Sequence, residues 1–507
     1  MQTDYDAVPY PSLSYAQTHP DRLATIATLL GLQPKPVTRC RVLELGCAGG
    51  GNLLPMAQAL PGSEFVGVDA SQAQIDTGSL AVRSIGLRNV ELRALDILDI
   101  APEMGVFDYI IAHGVYSWVP PQVRDKVLQV CQDHLAPQGV AYISYNSYPG
   151  WHMMGILRDA MLYRTRDIAD PTERATTARS LLDFMSEAIP ADNTALGAFL
   201  KSYMRFLQGE LKGVSARGNA FLLHDELERV NDPVYFSQFA GHAARHGLQF
   251  LAEAEFTDVF PKGFSESTLE TLQKISRDIV EMEQYSDFLR SRMFRQTLLC
   301  RQEVEVHRAL SVSLLSHLWA ASRSQPANKE PNLCDVSPEQ FRAPDGGVLT
   351  TDHPVSKAAL LHLTSIYPRA ASFGELLAVA RDAVNASQEK LADDIISLQA
   401  NLLKAYTYSS QLVELHTYTP ALSLQMSSLP IASPVARLEA RDSLIVTNAW
   451  HERAHLTPLR QRLLMLLDGA HDHDLLVATL AEWDPSGESG SLSEHLQWFA
   501  RAALLVV

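Results

Sequence analysis

At 507 residues the chain is too long for one ordinary hydrophobic core, so two or three domains are expected. A composition of 46% hydrophobic and 20% charged residues excludes a disordered or fibrous protein. With 58 Asp plus Glu against 42 Lys plus Arg, the formal net charge of -16 disfavours nucleic acid or an anionic membrane as a bulk partner and leaves only a local basic patch for such contacts.

The five cysteines (Cys40, Cys47, Cys131, Cys300 and Cys334) are odd in number, scattered and without a C-x-x-C pair. That argues against both a disulfide framework and a zinc site, and for a reducing compartment. The first fifteen residues carry acids where a signal peptide needs positive charge, and no segment approaches the roughly 18 apolar residues of a membrane span. A cytoplasmic location is expected. The string His224-Asp225-Glu226-Leu227 matches an ER-retention signal by letters only, because such signals act at a C-terminus.

From about Arg39 the pattern becomes strand, tight turn, helix: CRVLELG, then CAGGGN, then LLPMAQAL. EFVGVD reads as a second strand, followed by the helix SQAQIDTGSLAVRSIG, and a third strand lies near NVELRAL. FDYIIAH is a near-continuous apolar run suited to a strand buried on both faces. Helix PQVRDKVLQVCQDHL, turn APQG and strand VAYISYN follow. Such alternation predicts a parallel, doubly wound α/β sheet.

Residues 151–225 are rich in helix formers and predict a helical insertion. Strands at LQFLAEAEF and RQTLLCR then complete the sheet within 226–305. A helix and a polar, Pro- and Gly-containing linker are expected over 306–350, and mainly helical, winged-helix-like modules over 351–507, leaving 1–150 as the nucleotide-binding core. His471-Asp472-His473-Asp474 reads as helix-cap residues rather than metal ligands.

Glu44, Gly46, Cys47 and Gly49 sit in the first strand-to-helix turn, where small residues let backbone approach a nucleotide. Asp69 ends the next strand, placed to accept hydrogen bonds from ribose hydroxyls. The dinucleotide fingerprint G-x-G-x-x-G fails at Ala48, or at Leu54 if started from Gly49, which makes NAD the weaker ligand.

The Glu-x-Gly-x-x-Gly turn with Asp69 and a third acid, Asp96, resembles class I S-adenosylmethionine (SAM)-dependent methyltransferases. The resemblance implies a Rossmann-like seven-stranded sheet. It also implies that Gly46 and Gly49 back the methionine part of SAM, Asp69 holds the ribose and Asp96 faces the adenine, with Glu44, Cys47, Ala70, Ile97 and His113 as further cofactor-binding candidates. VPYPSLSYAQTHPDRLATIATLLG, AHGVYSWVP, SYNSYPGWHM and NDPVYFSQFAGHAARHGLQFLAEAEF together resemble bacterial methyltransferases with a methyltransferase regulatory domain, a family that includes the rickettsial-type protein lysine methyltransferases. The resemblance covers residues 5–305 well and the C-terminal third loosely.

Methyl transfer from a sulfonium is an in-line displacement that needs positioning more than a metal or a covalent intermediate. The loops after strands four and five edge the crevice where ligands bind in such sheets. They carry His113, Tyr116, Trp118, Tyr145, Asn146, Tyr148 and Trp151, candidates either to line a lysine slot and accept its proton or simply to pack the loops. Tyr5–Tyr15 is either a lid over SAM or a tail on the sheet. Three functions stay open: a protein lysine methyltransferase; a small-molecule N- or O-methyltransferase whose extra parts close a pocket or form a homodimer; and a non-catalytic SAM-binding regulator.

Overall fold

The computed structural model describes residues 12–189, 195–212, 222–258, 264–424, 426–487 and 489–506. Seven strands form the central sheet: β1 Arg41–Leu45, β2 Glu64–Asp69, β3 Val90–Ala94, β4 Phe107–Ala112, β5 Leu135–Asn146, β6 Leu248–Glu253 and β7 Phe294–Arg301. Their order is β3-β2-β1-β4-β5-β7-β6. The first five run parallel, and β7 lies antiparallel between β5 and β6. The order reverses between β1 and β4, which opens a crevice beyond the carboxyl ends of those strands.

Helices α1 Pro20–Leu29, α2 Leu53–Ala59, α3 Gln72–Ile85 and α4 Pro121–His134 accompany the parallel half. Local chemistry sets their ends: Ser71 caps α3 by accepting from the Gln74 N–H, and Gly86 stops it at φ +72°. The expected turn at 136–139 is instead continuous with β5, since Leu135 pairs with Phe107 and the extra residues are absorbed as a register irregularity before Tyr109.

The insertion is helical as expected: α5 Trp151–Thr165, α6 Pro171–Ala188, α7 Ala195–Lys212, then a single π-helical turn at Leu222–Glu226. It has its own core, built on Leu157, Met161, Leu182, Met204 and Leu223. α8 Phe236–Arg245 precedes β6, and α9 Glu266–Ile275 and α10 Ile279–Arg290 precede β7.

Residues 306–350, expected as helix and linker, are folded into short strands: β8 Trp319–Ala321, β9 Gln325–Pro326, β10 Glu339–Arg342 and β11 Val348–Thr351. Strands of two to four residues are too short for a legible alternation, and β8 finds its partners far along the chain, in β12 Ala371–Ser372 and β13 Glu414–His416. α11 Pro354–Ile366, α12 Phe373–Ala383 and α13 Leu391–Tyr408 pack there, in a core continuous with one face of the central sheet. A separate core unites α14 Pro434–Glu439, the hairpin β14 Ile445–Thr447 and β15 Arg453–His455, α15 Pro458–Leu466, α16 His473–Trp483 and α17 Leu492–Arg501. Asp472 caps α16, as read from the sequence. Among the described residues, no helix is long and apolar enough to cross a membrane.

Candidate active site

The crevice at the strand reversal is a cavity of about 1040 Å³. Its floor is the turn after β1, where Gly46 and Ala48 hold φ of +72° and +48°. A Cβ on Gly46 would stand 2.7 Å from Val115, so no larger residue fits there. Gly49 lies just behind the floor, its carbonyl so close to Gly78 of α3 that a Cβ there would meet it at 2.4 Å. Gly51 donates from its N–H to Ser12 Oγ at 2.7 Å, which brings the N-terminal segment over the turn.

Asp69, at the end of β2, accepts from the Ala48 N–H and the Ser71 N–H, both at 2.9 Å, and so braces the turn while facing the cavity. Asp96 is exposed and caps the short helix Ile97–Asp99, accepting from the Leu98 N–H at 2.9 Å. Ala70, Ile97 and Cys47 also line the space. Glu44 is buried; its Oε1 accepts from Asn52 Nδ2 at 2.7 Å, and its Oε2 has no partner. Burial pushes this carboxyl up to about 8, against the pull of the Asn52 hydrogen bond.

His113 lines the cavity with its ring 3.8 Å from the Tyr15 ring and Nδ1 2.8 Å from the Tyr142 hydroxyl. Burial, reinforced by Arg453, holds its imidazole down to about 3. The ring is therefore neutral near pH 7, which suits packing against a cation better than taking up a proton. Trp118, Asn146 and Trp151 line the cavity as well.

Tyr116 and Tyr145 do not. Tyr145 and Asn146 are neighbours on β5 and point to opposite faces of the sheet. The Tyr145 ring stacks on Phe239 of α8 at 4.1 Å and its hydroxyl meets Thr297 Oγ1 at 3.0 Å. Tyr116 packs edge-on to the same Phe239, its hydroxyl 2.7 Å from His242 Nδ1, and burial pushes it up to about 12. Both belong to the core under α4 and α8. Tyr148 stacks on His152 at 4.1 Å, away from the lining. Of the proposed lid, residues 5–11 lie outside the described residues, whereas Ser12, Leu13 and Tyr15 line the cavity.

The roof comes from the helical insertion. Trp151, Tyr203 and Phe206 contribute aromatic surface, and the π-helical turn contributes Asp225 and Glu226. Glu226 is 3% exposed, its Oε2 has no partner, and burial pushes it up to about 7 against the attraction of Arg158. Among the described lining residues are six carboxylates and no Lys or Arg. Such a site selects cations.

The comparisons with known proteins agree with this geometry. Residues 43–141 match the methyltransferase domain family, 218–301 the predicted methyltransferase regulatory domain, and 429–497 the PKMT C-terminal winged helix domain. An uncharacterized protein of Rickettsia prowazekii, RP789, is 33% identical over 490 residues, covering 96% of this chain and 86% of the relative. The structure of PKMT2 from Rickettsia typhi, solved also in complex with AdoHcy, matches with a TM-score of 0.86 at 27% identity, over 98% of this chain and 100% of that one. The chain belongs to the rickettsial-type SAM-dependent methyltransferases.

SAM is thus the cofactor of this methyltransferase, and the residues present fit it. The unpartnered Glu44 Oε2 and the acidic lining suit a ligand that carries an ammonium and a sulfonium. Five residues escaped sequence reasoning: Asn52, Tyr203, Phe206, Glu226 and His451, the last reaching Asn52 from the C-terminal hairpin at 2.8 Å. The one available signal was the His-Asp-Glu interruption of an apolar run at 222–227, the string set aside as a spurious retention signal.

Proposed function

We propose that this methyltransferase transfers the methyl group of SAM to lysine side chains of a protein substrate. The observation that carries the reading is Glu226, a buried carboxylate with one free oxygen in the roof of the cavity whose floor is the glycine turn. The likeness to PKMT2 supports it.

In this reading Glu44 and the turn Gly46–Gly49 hold the methionine end of SAM, with Gly49 acting through its packing on α3. Asp69 and Ala70 hold the ribose, and Asp96 and Ile97 the adenine. His113 and Tyr15 pack beside the cofactor as neutral rings. When bound, SAM supplies an electrophilic methyl group on its sulfonium. Trp118, Trp151, Tyr203 and Phe206 form the apolar and aromatic walls along which a lysine stem lies, and Asn146 orients its nitrogen.

A lysine arrives as an ammonium, with a pKa about 10.4 in water. Enclosure between aromatic walls lowers that value, while burial has already raised the Glu226 carboxyl toward neutrality. The proton moves from Nζ to Glu226 Oε2, which frees the nitrogen lone pair for in-line attack. Matching of the two groups is what a general base near pH 7 requires.

The test combines calorimetry of SAM binding with transfer of labelled methyl groups into a protein mixture, for the wild type, Asp69→Ala and Glu226→Gln. Expected are loss of SAM binding in Asp69→Ala, retained binding with transfer reduced at least about 100-fold in Glu226→Gln, and label on lysine in discrete protein bands. Label confined to small molecules would replace the protein acceptor with a metabolite. Unchanged transfer by Glu226→Gln would remove Glu226 from the mechanism.

A further inference from the structure

Outside the lining of the cavity, three side chains with metal-ligating atoms converge. Asp125 is on α4, and His242 and His246 are on α8, where a spacing of four residues puts both rings on one face. One ligand atom from each lies within 4.8 Å of the other two. His242 Nε2 is 3.1 Å and His246 Nε2 3.0 Å from the same oxygen, Asp125 Oδ1. The two imidazoles are largely sheltered, with 15% and 13% of their side-chain surface exposed, while Asp125 is 59% exposed and opens the cluster to solvent.

A second feature separates this cluster from an ordinary surface ion pair. His242 Nδ1 is engaged at 2.7 Å by the hydroxyl of Tyr116, itself only 2% exposed. A partner on the far nitrogen fixes the ring so that Nε2 faces Asp125 and His246, as outer-sphere hydrogen bonds do for metal-bound imidazoles. Arg245 does not fill the space; its guanidinium turns back to the Gly241 carbonyl on its own helix.

We propose that Asp125, His242 and His246 bind a divalent transition metal ion of the zinc class, with water at the remaining position. Two imidazoles and one carboxylate match zinc; magnesium and calcium take oxygen ligands. In a tetrahedral zinc site the ligand atoms stand about 3.3 Å apart. The two spacings from Asp125 Oδ1 to the imidazoles, 3.1 and 3.0 Å, need to widen by only a few tenths of an ångström, a shift that the exposed Asp125 can make, and the two imidazole nitrogens already lie within 4.8 Å of each other. The scattered cysteines argued against a zinc site in general, yet a site of this kind uses no thiolate. None of these residues lines the methyl-transfer cavity, so the ion would clasp α4 to α8, the helix that leads into β6, and take no part in the chemistry.

The experiment titrates zinc chloride into untagged, metal-stripped full-length chain by calorimetry, alongside cobalt(II) absorption spectra, for the wild type, His246→Ala and Asp125→Asn. SAM binding by each variant reports its folding. Expected for the wild type are one zinc per chain and visible cobalt bands of a four-coordinate site, with affinity at least about 100-fold weaker in His246→Ala and about 10-fold weaker in Asp125→Asn. A wild type that takes up no zinc, or a folded His246→Ala that takes it up equally well, overturns the proposal. Should His246→Ala fail to fold, equal uptake by Asp125→Asn overturns it.

Discussion

His451, in the bend between β14 and β15, donates from Nε2 to Asn52 Oδ1 at 2.8 Å, and Asn52 Nδ2 in turn donates to Glu44 Oε1 at 2.7 Å. The C-terminal hairpin thereby touches the cavity at the strand reversal through one intermediary side chain. The hairpin is held against the N-terminal segment at two further points. Arg453 Nε donates to the Ser14 carbonyl at 3.0 Å, with its guanidinium over the Tyr15 ring, and Thr447 Oγ1 meets Ser14 Oγ at 2.9 Å. Burial holds the His451 pKa well below its ordinary value, so the contact is a neutral hydrogen bond at any physiological pH.

Removing the middle of this chain should loosen SAM. In Asn52→Ala, Glu44 loses the hydrogen bond that orients it, and two further donors, Tyr15 N–H and His451 Nε2, lose their acceptor. Weakening of SAM binding by about 10-fold is expected, in keeping with roughly 1–1.5 kcal/mol for a buried hydrogen bond. His451→Ala should give a smaller loss in the same direction. Calorimetry measures both, and undiminished affinity in Asn52→Ala would detach the hairpin from cofactor binding.

Glu226 should make stability depend on pH in a specific direction. Its folded-state pKa of about 7 stands above the ordinary value of 4.5, so the folded chain holds the proton more tightly than the unfolded one. The stability it contributes is then full below about 4.5 and declines until pH passes about 7. Glu226→Gln removes that decline. At pH 8 the variant should be more stable than the wild type by on the order of 2–3 kcal/mol, and at pH 4 the two should coincide. Thermal unfolding at the two pH values provides the check.

His416 works with the opposite sign. Burial alone would lower its pKa, but Asp21 Oδ2 lies 2.7 Å from Nδ1 and lifts it to about 9. That contribution is complete below the unfolded value near 6.5 and is lost as pH rises through about 9. Asp21, on α1, also accepts from the N–H and hydroxyl of Thr417, tying the first helix to the segment after β13. Asp21→Asn should cost on the order of 3 kcal/mol at pH 7 and flatten the fall between pH 7 and 9.5.

Arg295 on β7 should tolerate no substitution. Fully buried, it pairs with Glu253 at 2.7 Å, Asp287 at 2.7 Å and Glu283 at 3.0 Å, joining β6, β7 and α10. Arg295→Met leaves three buried carboxylates facing one remaining cation, Arg292, which reaches Asp287 at 3.1 Å and Glu253 at 3.8 Å, and the loss costs about 3–5 kcal/mol. Expected is a sharp drop in soluble yield and unfolding temperature, and a midpoint within a few degrees of wild type would mean that the acids simply take up protons.

What the sequence determined by itself was local. The apolar run at 41–45, the glycine turn after it and the acids Asp69 and Asp96 closing β2 and following β3 lie within about sixty residues, and strand-turn-helix periodicity is written in neighbouring positions. That was enough to place Glu44, Gly46, Cys47, Asp69, Ala70, Asp96, Ile97 and His113 at one cavity. The tertiary structure decided the rest. Strand parity sends Tyr145 into the core and Asn146 into the cavity, and α8, contributed from more than a hundred residues beyond Tyr116, covers Tyr116 with Phe239. The roof position of Glu226 depends on how the insertion folds back over the sheet, and the contact of His451 with Asn52 spans 399 positions. No periodicity encodes a contact of that separation; it exists only because separate cores, each closed by its own apolar residues, pack with polar side chains meeting at their seam.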